Sequence, residues 1–384
     1  MLNGGSGQVG RRRDLQAGAH LEQLREEGQF QRLGQEAHPA RAADPGIGDG
    51  TITLGMSAPF SGPNGAYGKE MREGALAYFA QLNGAGGING KKIELVTLDD
   101  GYETDRTVAN TRKLIDENKV FALMAYYGSS PTTEAMKLFS EAKTPLLGTI
   151  SGAGSLRSPV NRYMFHLRAS YADETEAIVN QMVAIGLRRI AVFYQDDPFG
   201  QDGLASAEAL AEKYGCKIVA KGSYEKNTTN VANAVKTIAA ASPHLVIMIS
   251  NTAASAAFIK QAKDAGLRTQ FVAISTTDAT QLVEAIGAPT AAGVAITQVV
   301  PHPDNRTVPL SKEFKENFTK YKPEGVVYNH VLLEGYVGAK VLVEGLRRAG
   351  PGASHVQTRA CQGRHQGLGS GQGPVDCAQA PRND

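Results

Sequence analysis

The sequence predicts an α/β protein with two doubly wound, parallel-sheet lobes that are joined by a multi-strand hinge. From Thr51 onward, short apolar runs alternate with segments whose apolar residues recur at helical spacing. The alternation breaks at residues 165–170 and then restarts, and a proline-containing stretch at residues 299–303 indicates a second crossing between lobes. Alternating strands and helices imply parallel sheets with right-handed crossovers, and repeated crossings between two lobes make a hinge.

The elements of the first lobe follow from these apolar patterns in chain order. Continuous apolar runs predict strands at residues 52–57, 92–98, 120–126 and 145–149. Amphipathic periodicity predicts helices at residues 68–83, 105–118 and 131–142. Each predicted helix stands between two predicted strands, which is the arrangement of a doubly wound sheet.

The second lobe repeats this arrangement after the break. Apolar runs predict strands at residues 189–195, 216–222, 244–250, 270–274 and 293–299. Helical periodicity predicts helices at residues 201–214, 229–241, 252–265 and 279–286, and two more at residues 308–321 and 328–349. We expect the last two helices to return to the first lobe. The predicted lobe 1 therefore comprises residues 51–168 with about 300–350, and the predicted lobe 2 comprises residues 169–299.

The two ends of the chain differ from this core in composition. Every lysine lies between Lys69 and Lys340, and residues 1–50 and 351–384 contain neither apolar blocks nor a helical period. Such segments bury too little apolar surface to offset the entropy of ordering, so we expect both ends to be irregular. Natural disordered tails and out-of-frame translation both account for this composition. Residues 1–50 also contain no apolar core of roughly 7–15 residues, which a secretory signal peptide needs.

The composition limits the classes of function. The chain has 384 residues, of which 42% are hydrophobic and 20% charged, and this fits two soluble domains. A net charge of +2 gives no reason to expect a nucleic-acid partner, and no apolar run reaches the roughly 18 residues of a transmembrane helix. The cysteines Cys216, Cys361 and Cys377 form neither a disulfide framework nor a CxxC metal motif. We expect no cofactor and no metal.

The loop after the first predicted strand is the most informative motif. Residues 57–68 read SAPFSGPNGAYG and lead into a predicted helix, and such a loop at the carboxyl end of a parallel strand is a usual ligand position. Residues 83–90 then read NGAGGING, and Asp99 and Asp100 end the second strand. In this order and spacing the motifs resemble the periplasmic solute-binding proteins of the branched-chain amino acid and amide uptake family. The resemblance covers residues 51–350.

The resemblance implies a leucine-binding-protein-like, type I periplasmic binding protein fold and a role in ABC import. Such a protein captures a small amino acid, amide or related carboxylate between its lobes in the periplasm and delivers it to membrane permease subunits. The same fold also serves as receptor ectodomains and amide-responsive regulators, so a ligand sensor is the alternative. The family finishes its second lobe with further strands after a third crossing. Nothing in residues 351–384 resembles a strand, so either this sequence lacks that part or the part has been replaced, and we expect an incomplete second lobe.

We do not expect an enzyme. No GxGxxG follows a predicted strand, and the chain contains no P-loop, HExxH or GxSxG motif. The histidines are scattered and form no pair with a nucleophile at a recognisable spacing. The sequence therefore favours a protein that binds its ligand without transforming it.

The first candidate contact lies at the start of the helix after the third strand. Ser129, Ser130 and Thr132 follow that strand, and Ser130 before Pro131 predicts an N-cap. Free backbone N–H groups together with these hydroxyls can hold a carboxylate, although a capped helix alone would give the same pattern. In the resembling family, the loop that matches Ser129 binds the α-carboxylate of the ligand. Ser129 is therefore the leading candidate.

Other first-lobe candidates come from matching positions in the family. The family offers a backbone carbonyl and a threonine hydroxyl from the loop after the fourth strand, and Ser151, Gly152 and Ala153 stand there. The threonine is absent, so either Ser151 supplies the hydroxyl or the segment is a plain turn. Tyr67 matches a tyrosine that lines the cleft, and Tyr171 lies just past the first crossing.

The second-lobe candidates match the family less closely. Asn251 and Thr252 stand where the amino-acid binders place a tyrosine. Ser275 stands where they place a glutamate that pairs with the ligand ammonium, and a serine offers no charge. Asp278 lies three residues further on and either replaces the glutamate or caps the helix that begins at residue 279. The first alternative predicts a zwitterionic amino acid as ligand, and the second predicts an amide or a simple carboxylic acid.

Overall fold

Two parallel sheets organise the chain in a computed structural model that describes residues 44–325 and 327–349. The strands of the first sheet are β1 (Thr51–Ala58), β2 (Lys92–Asp99), β3 (Ala122–Met124), β4 (Leu146–Leu147) and β5 (Met164–Phe165). The helices between them are α1 (Gly65–Gly84), α2 (Thr104–Arg112) and α3 (Ser129–Glu141). The strand order β2-β1-β3-β4-β5 is that of a doubly wound sheet, and all four pairings are parallel.

The second sheet is built in the same way. Its strands are β6 (Arg189–Gln195), β7 (Lys217–Tyr224), β8 (Leu245–Ile249), β9 (Gln270–Ala273) and β10 (Ala295–Ile296), in the order β10-β9-β8-β6-β7. Its helices are α4 (Tyr171–Ala184), α5 (Pro198–Lys213), α6 (Ala232–Ala241), α7 (Thr252–Asp264), α8 (Ala279–Ile286) and α9 (Ala288–Ala291). The central strand β8 has the sequence LVIMI and is buried along its whole length, because helices cover both faces of a parallel sheet.

Two helices after the second sheet return to the first. They are α10 (Pro309–Tyr321) and α11 (His330–Ala349). The apolar side chains Leu333, Tyr336 and Val343 of α11 are fully buried and belong to the same core cluster as Met71 and Tyr78 of α1. This packing returns the chain to the first lobe after it has completed the second sheet.

The observed elements confirm the predicted α/β class and differ from the expectation in particular places. The helix α4 was not predicted, although Ser170 and Asp173 form a capping box at its start. The predicted helix at residues 105–118 ends as a π-helical turn, Lys113–Glu117, and β3, β4 and β10 are shorter than the apolar runs that predicted them. The N-cap of α3 is Gly128 with φ 90°, so the prediction of Ser130 was wrong.

The predicted irregular ends lie largely outside the described residues. The part of the N-terminal segment that the structure does describe, residues 44–50, lies along β1. The amide of Thr53 donates to the carbonyl of Gly46 at 2.8 Å, and Ile47 forms a bridge with Ile52. Residues 1–43 and 350–384 are not among those described.

Candidate ligand-binding site

The carboxyl ends of the two sheets meet across a cleft. Parallel strands end at one edge of a sheet, so the loops after β1, β2 and β3 lie together, and so do those after β6, β8 and β9. Hydrogen bonds join the two groups of loops directly. Tyr127 donates to Asn251 Oδ1 at 2.9 Å, and Gln195 donates to the Tyr102 hydroxyl at 3.0 Å. These contacts place the two lobes against each other at the predicted binding edge.

Tyrosines form the first-lobe wall of the cleft. The Tyr127 ring lies edge-on to both Tyr67 and Tyr102, with centroid distances of 5.4 and 5.0 Å. Burial raises the pKa of all three phenols well above the usual value, so the hydroxyls stay protonated and can donate hydrogen bonds. Sequence reasoning found Tyr67 and missed the other two, although Tyr127 is adjacent to the Ser129 motif.

The predicted carboxylate site is a buried cluster of hydroxyls. Ser129 is the first residue of α3, and its Oγ lies 2.8 Å from Ser151 Oγ. Ser151 Oγ also accepts from the amide of Ala153 at 3.2 Å, and the amide of Tyr171 donates to the carbonyl of Gly152 at 2.9 Å. The structure thus brings five sequence-predicted residues into one place, because β3 and β4 are neighbours and α4 begins beside them.

Two other hydroxyls at the start of α3 already have partners. Thr132 Oγ1 donates to the carbonyl of Gly128 at 2.7 Å, which serves the first turn of the helix. Ser130 Oγ donates across the cleft to Asp197 Oδ2 at 3.1 Å. Ser130 therefore joins the two lobes, and Thr132 stabilises the helix start that positions Ser129.

The second-lobe candidates also make hydrogen bonds within their own lobe. Asn251 Nδ2 donates to Gln195 Oε1 at 3.1 Å, and Thr252 Oγ1 accepts from the amide of Asp278 at 2.9 Å. Asp278 Oδ1 accepts from the amide of Gln281 at 2.8 Å, so this carboxylate caps α8. Burial raises the pKa of Asp278 above its usual value.

Glu174 is a buried carboxylate that sequence reasoning missed. Its two oxygens accept from the amide and the hydroxyl of Ser275, each at 2.9 Å, and from the hydroxyl of Thr297. The hydroxyl of Ser275 is therefore engaged within the second lobe. The backbone carbonyl of Ser275 instead faces the first lobe, where it accepts a hydrogen bond from the Tyr67 hydroxyl at 3.3 Å.

Arg168 is the second residue that was missed. Its guanidinium forms a two-pronged ion pair with Glu334 of α11, with Nε–Oε1 2.6 Å and Nη2–Oε2 3.0 Å. Nη2 also donates to the Tyr67 hydroxyl at 2.7 Å and to the carbonyl of Ser275 at 3.3 Å. An arginine inside the predicted crossing at residues 165–170 is a signal for a functional or structural ion pair. Its partner could not be identified from the sequence, because Glu334 is 166 residues away.

Further contacts close the rim of the cleft. Asn227 Oδ1 accepts a hydrogen bond from Asn64 Nδ2 at 3.1 Å, and the backbone of Asn227 is left-handed, with φ 60°. Beside it, Lys226 Nζ lies 4.4 Å from the centre of the Tyr102 ring. On the other side, Gln281 Nε2 donates to Glu70 Oε2 at 2.7 Å. Burial, together with the nearby charge of Asp278, raises the pKa of Glu70 to about 7.

The groups that line the cleft are mostly hydrogen-bond donors and acceptors. These groups include neutral hydroxyls, backbone N–H groups at the start of α3, the guanidinium of Arg168 and carboxylates that accept hydrogen bonds from neighbouring groups. Within residues 44–325 and 327–349, no cluster of side chains could hold a metal ion. In the same part of the chain, no helix is long and apolar enough to cross a membrane.

Comparison with known proteins identifies the family. The family model described as periplasmic binding protein matches residues 51–361. An amino acid binding protein of Pseudomonas aeruginosa is 26% identical over 296 residues, which is 75% of this chain and 78% of the relative. A Leu/Ile/Val-binding protein homolog of Brucella melitensis is 27% identical over 316 residues, which is 77% of each chain.

A solved structure agrees with these relatives. The substrate-binding periplasmic protein from Ralstonia solanacearum is 32% identical, with a TM-score of 0.77, and the match covers 80% of this chain and 88% of that one. All three relatives are named as binding proteins and none as an enzyme. Because the family model spans most of the chain and the cleft has the chemistry of a binding site, this protein belongs to the periplasmic binding protein family.

Proposed function

We propose that this protein is the ligand-binding component of an ABC importer. It captures a small amino acid or related carboxylate between its lobes in the periplasm and delivers it to membrane permease subunits. The observation that carries the proposal is the buried cluster of Ser129, Ser151 and Tyr171 at the start of α3, in a cleft that both lobes close. A helix start lined with hydroxyls suits a carboxylate, because its free N–H groups and positive dipole favour negative charge.

The proposed mechanism is closure of two lobes about the ligand. We place lobe 1 at residues 51–168 and about 300–350, and lobe 2 at residues 169–299. Lobe 1 binds the carboxylate first, and contacts from lobe 2 then stabilise the closed form. A ligand shifts the population only by its preference for that closed form. The permease subunits would recognise the closed shape.

The ligand contacts that we propose come from both lobes. Lobe 1 contributes the residues around α3 and the loop after β4, and lobe 2 contributes those after β8 and β9. They are Tyr67, Ser129, Ser130, Thr132, Ser151, Gly152, Ala153, Tyr171, Asn251, Thr252, Ser275 and Asp278.

Native mass spectrometry of the purified protein, combined with calorimetry, tests the proposed function. We expect a complex that is heavier than the chain by the mass of one small carboxylate, amino acid or amide. Calorimetry with leucine, 4-methylpentanoate and 4-methylpentanamide then measures which end groups matter. A protein that binds no small carboxylate, amino acid or amide would contradict the proposal.

Replacing Ser129 tests the carboxylate contact. We expect Ser129→Leu to weaken binding of the tightest acid by about tenfold or more, because a hydrogen bond to a charged group contributes about 1.5–3 kcal/mol. The side chain is buried against Ser151, so the leucine also obstructs the start of α3. Isothermal titration calorimetry measures the change.

The control is Ser206→Leu, two turns into α5, where the serine hydroxyl donates to the carbonyl of Asp202. We expect this variant to keep the affinity of the wild type. Equal affinities for Ser129→Leu and Ser206→Leu would remove Ser129 from the site.

Replacing Asp278 tests whether the ligand carries an ammonium group. The carboxylate caps α8, and after burial its charge is the next cause that raises the pKa of Glu70. If it pairs with an ammonium, leucine should raise the melting temperature of the wild type but not of Asp278→Asn. Asparagine can still cap the helix, which separates the two roles. Stabilisation by 4-methylpentanoate alone, in both proteins, would show that the ammonium role is wrong.

A further inference from the structure

The guanidinium of Arg168 has one nitrogen without a partner among the residues that the structure describes. The side chain is 2% exposed, and Nε and Nη2 are fully used by Glu334, Tyr67 and the carbonyl of Ser275. Nη1 is buried and makes no hydrogen bond to any residue within 44–325 and 327–349. A buried charged donor without an acceptor is costly, and nearly all such groups in proteins find one. Nη1 therefore indicates an acceptor that the described residues do not provide.

The planarity of the guanidinium fixes the direction of this donor. Nε–H and one N–H of Nη2 lie side by side and bind the two oxygens of Glu334. The second N–H of Nη2 points outward from the far end of the guanidinium, towards the Tyr67 hydroxyl and the carbonyl of Ser275. One N–H of Nη1 runs parallel to it. The unmatched donor thus points towards the place where Tyr67 of lobe 1 meets Ser275 of lobe 2.

The charges around Arg168 select the kind of acceptor. Glu334 already neutralises the guanidinium. Another carboxylate, that of Glu174, lies nearby and accepts a hydrogen bond from the amide of Ser275. A second carboxylate at Nη1 would share one cation with two buried anions, and like charges at close range disfavour ionisation. An uncharged oxygen satisfies the donor without adding charge.

We propose that Arg168 Nη1 binds an uncharged oxygen, such as an amide, keto or hydroxyl oxygen, on the end of the ligand that is remote from its carboxylate. This inference rests on the proposed function, in which Ser129 holds that carboxylate. The ligand class is then a small carboxylic or amino acid with a neutral oxygen at its far end. Purely aliphatic acids leave the donor of Arg168 unmatched.

Ligands of equal shape that differ in one end group, titrated into the full-length protein, test whether Arg168 binds a neutral oxygen. Leucine, asparagine and aspartate differ only in the end group, and 4-methylpentanoate, succinamate and succinate repeat the series without the ammonium. In calorimetry we expect the amide member of at least one series to bind about tenfold tighter than its aliphatic and carboxylate partners. Tighter binding of the aliphatic or the dicarboxylate member in both series would overturn the inference and leave the proposed function standing. Binding of none of the six would overturn both.

A paired variant separates a ligand contact from a structural role. Arg168→Met combined with Glu334→Met removes the ion pair as a unit, so that no buried charge stays unpaired. We expect the amide preference to fall to within about twofold, whereas Lys213→Met with Glu176→Met, at an exposed pair of 2.7 Å, should keep it. An equal loss of affinity for all members of a series would mean that Arg168 only positions the lobes, and would overturn the proposal.

Discussion

Replacing Arg168 alone with methionine is expected to lower the free energy of unfolding by about 3–5 kcal/mol. The Glu334 side chain is only 9% exposed, and its carboxylate lies 2.6 Å from Arg168 Nε. The variant removes this guanidinium and leaves the buried carboxylate unpaired. Burial opposes the charge of Arg168, but Glu334 outweighs this and keeps the pKa of the guanidinium well above the usual value. Urea unfolding followed by circular dichroism measures the change.

Two companion variants make this result interpretable. Arg168→Met with Glu334→Met should cost less than Arg168→Met alone, because the second substitution removes the unpaired charge. Lys213→Met breaks an ion pair whose side chains are 59% and 38% exposed, and should change the stability by at most about 1 kcal/mol. A loss for Arg168→Met no larger than that for Lys213→Met would contradict the buried pair.

Gly335→Ala is expected to lower the free energy of unfolding by about 2–3 kcal/mol. At this position α11 crosses α1 so closely that an added Cβ would lie 2.0 Å from the carbonyl oxygen of Met71. The contact is mutual, since a Cβ on Gly74 would lie 2.0 Å from the carbonyl oxygen of Leu332. The obstacle is backbone, so one helix must move. Thermal and urea unfolding measure the loss.

Gly345 provides the matched control in the same helix. A Cβ at Gly345 meets no atom of the described residues within 4 Å, so alanine there should gain about 0.5–1 kcal/mol from its better helix propensity. Opposite signs for the two alanines are expected. A gain at both positions would mean that α11 does not cross α1 at Gly335.

The fold class was predictable because its signal is local and repeated. Strands such as β8 are continuous apolar runs, and each helix between them has its own apolar period. Helix α4 was not predicted, because residues 165–170 were interpreted only as a crossing between lobes. The capping box at the start of α4 is nevertheless a local signal for a helix. Short strands such as β10 were overestimated because apolar runs continue beyond the paired residues.

The candidate site was predictable where its residues follow neighbouring strands and unpredictable where the partners lie far apart in the sequence. Ser129 and Ser151 follow neighbouring strands, so the topology alone brings them together. The pairs Arg168–Glu334 and Glu174–Ser275 join residues that no local pattern relates. Asp278 shows the remaining ambiguity, because a carboxylate before a helix fits a cap and a ligand contact equally well until its neighbours are known.

A crystal structure of the full chain with the tightest-binding acid tests the central claim most directly. The account predicts a carboxylate oxygen about 2.7–3.2 Å from Ser129 Oγ or a backbone nitrogen at the start of α3, with further contacts from the second lobe. Another concave site is available for comparison, a groove of about 540 Å³ lined by Gly186, His244 and Arg268 at the amino ends of the second-sheet strands. A ligand bound in that groove, or one that touches a single lobe, would contradict the account.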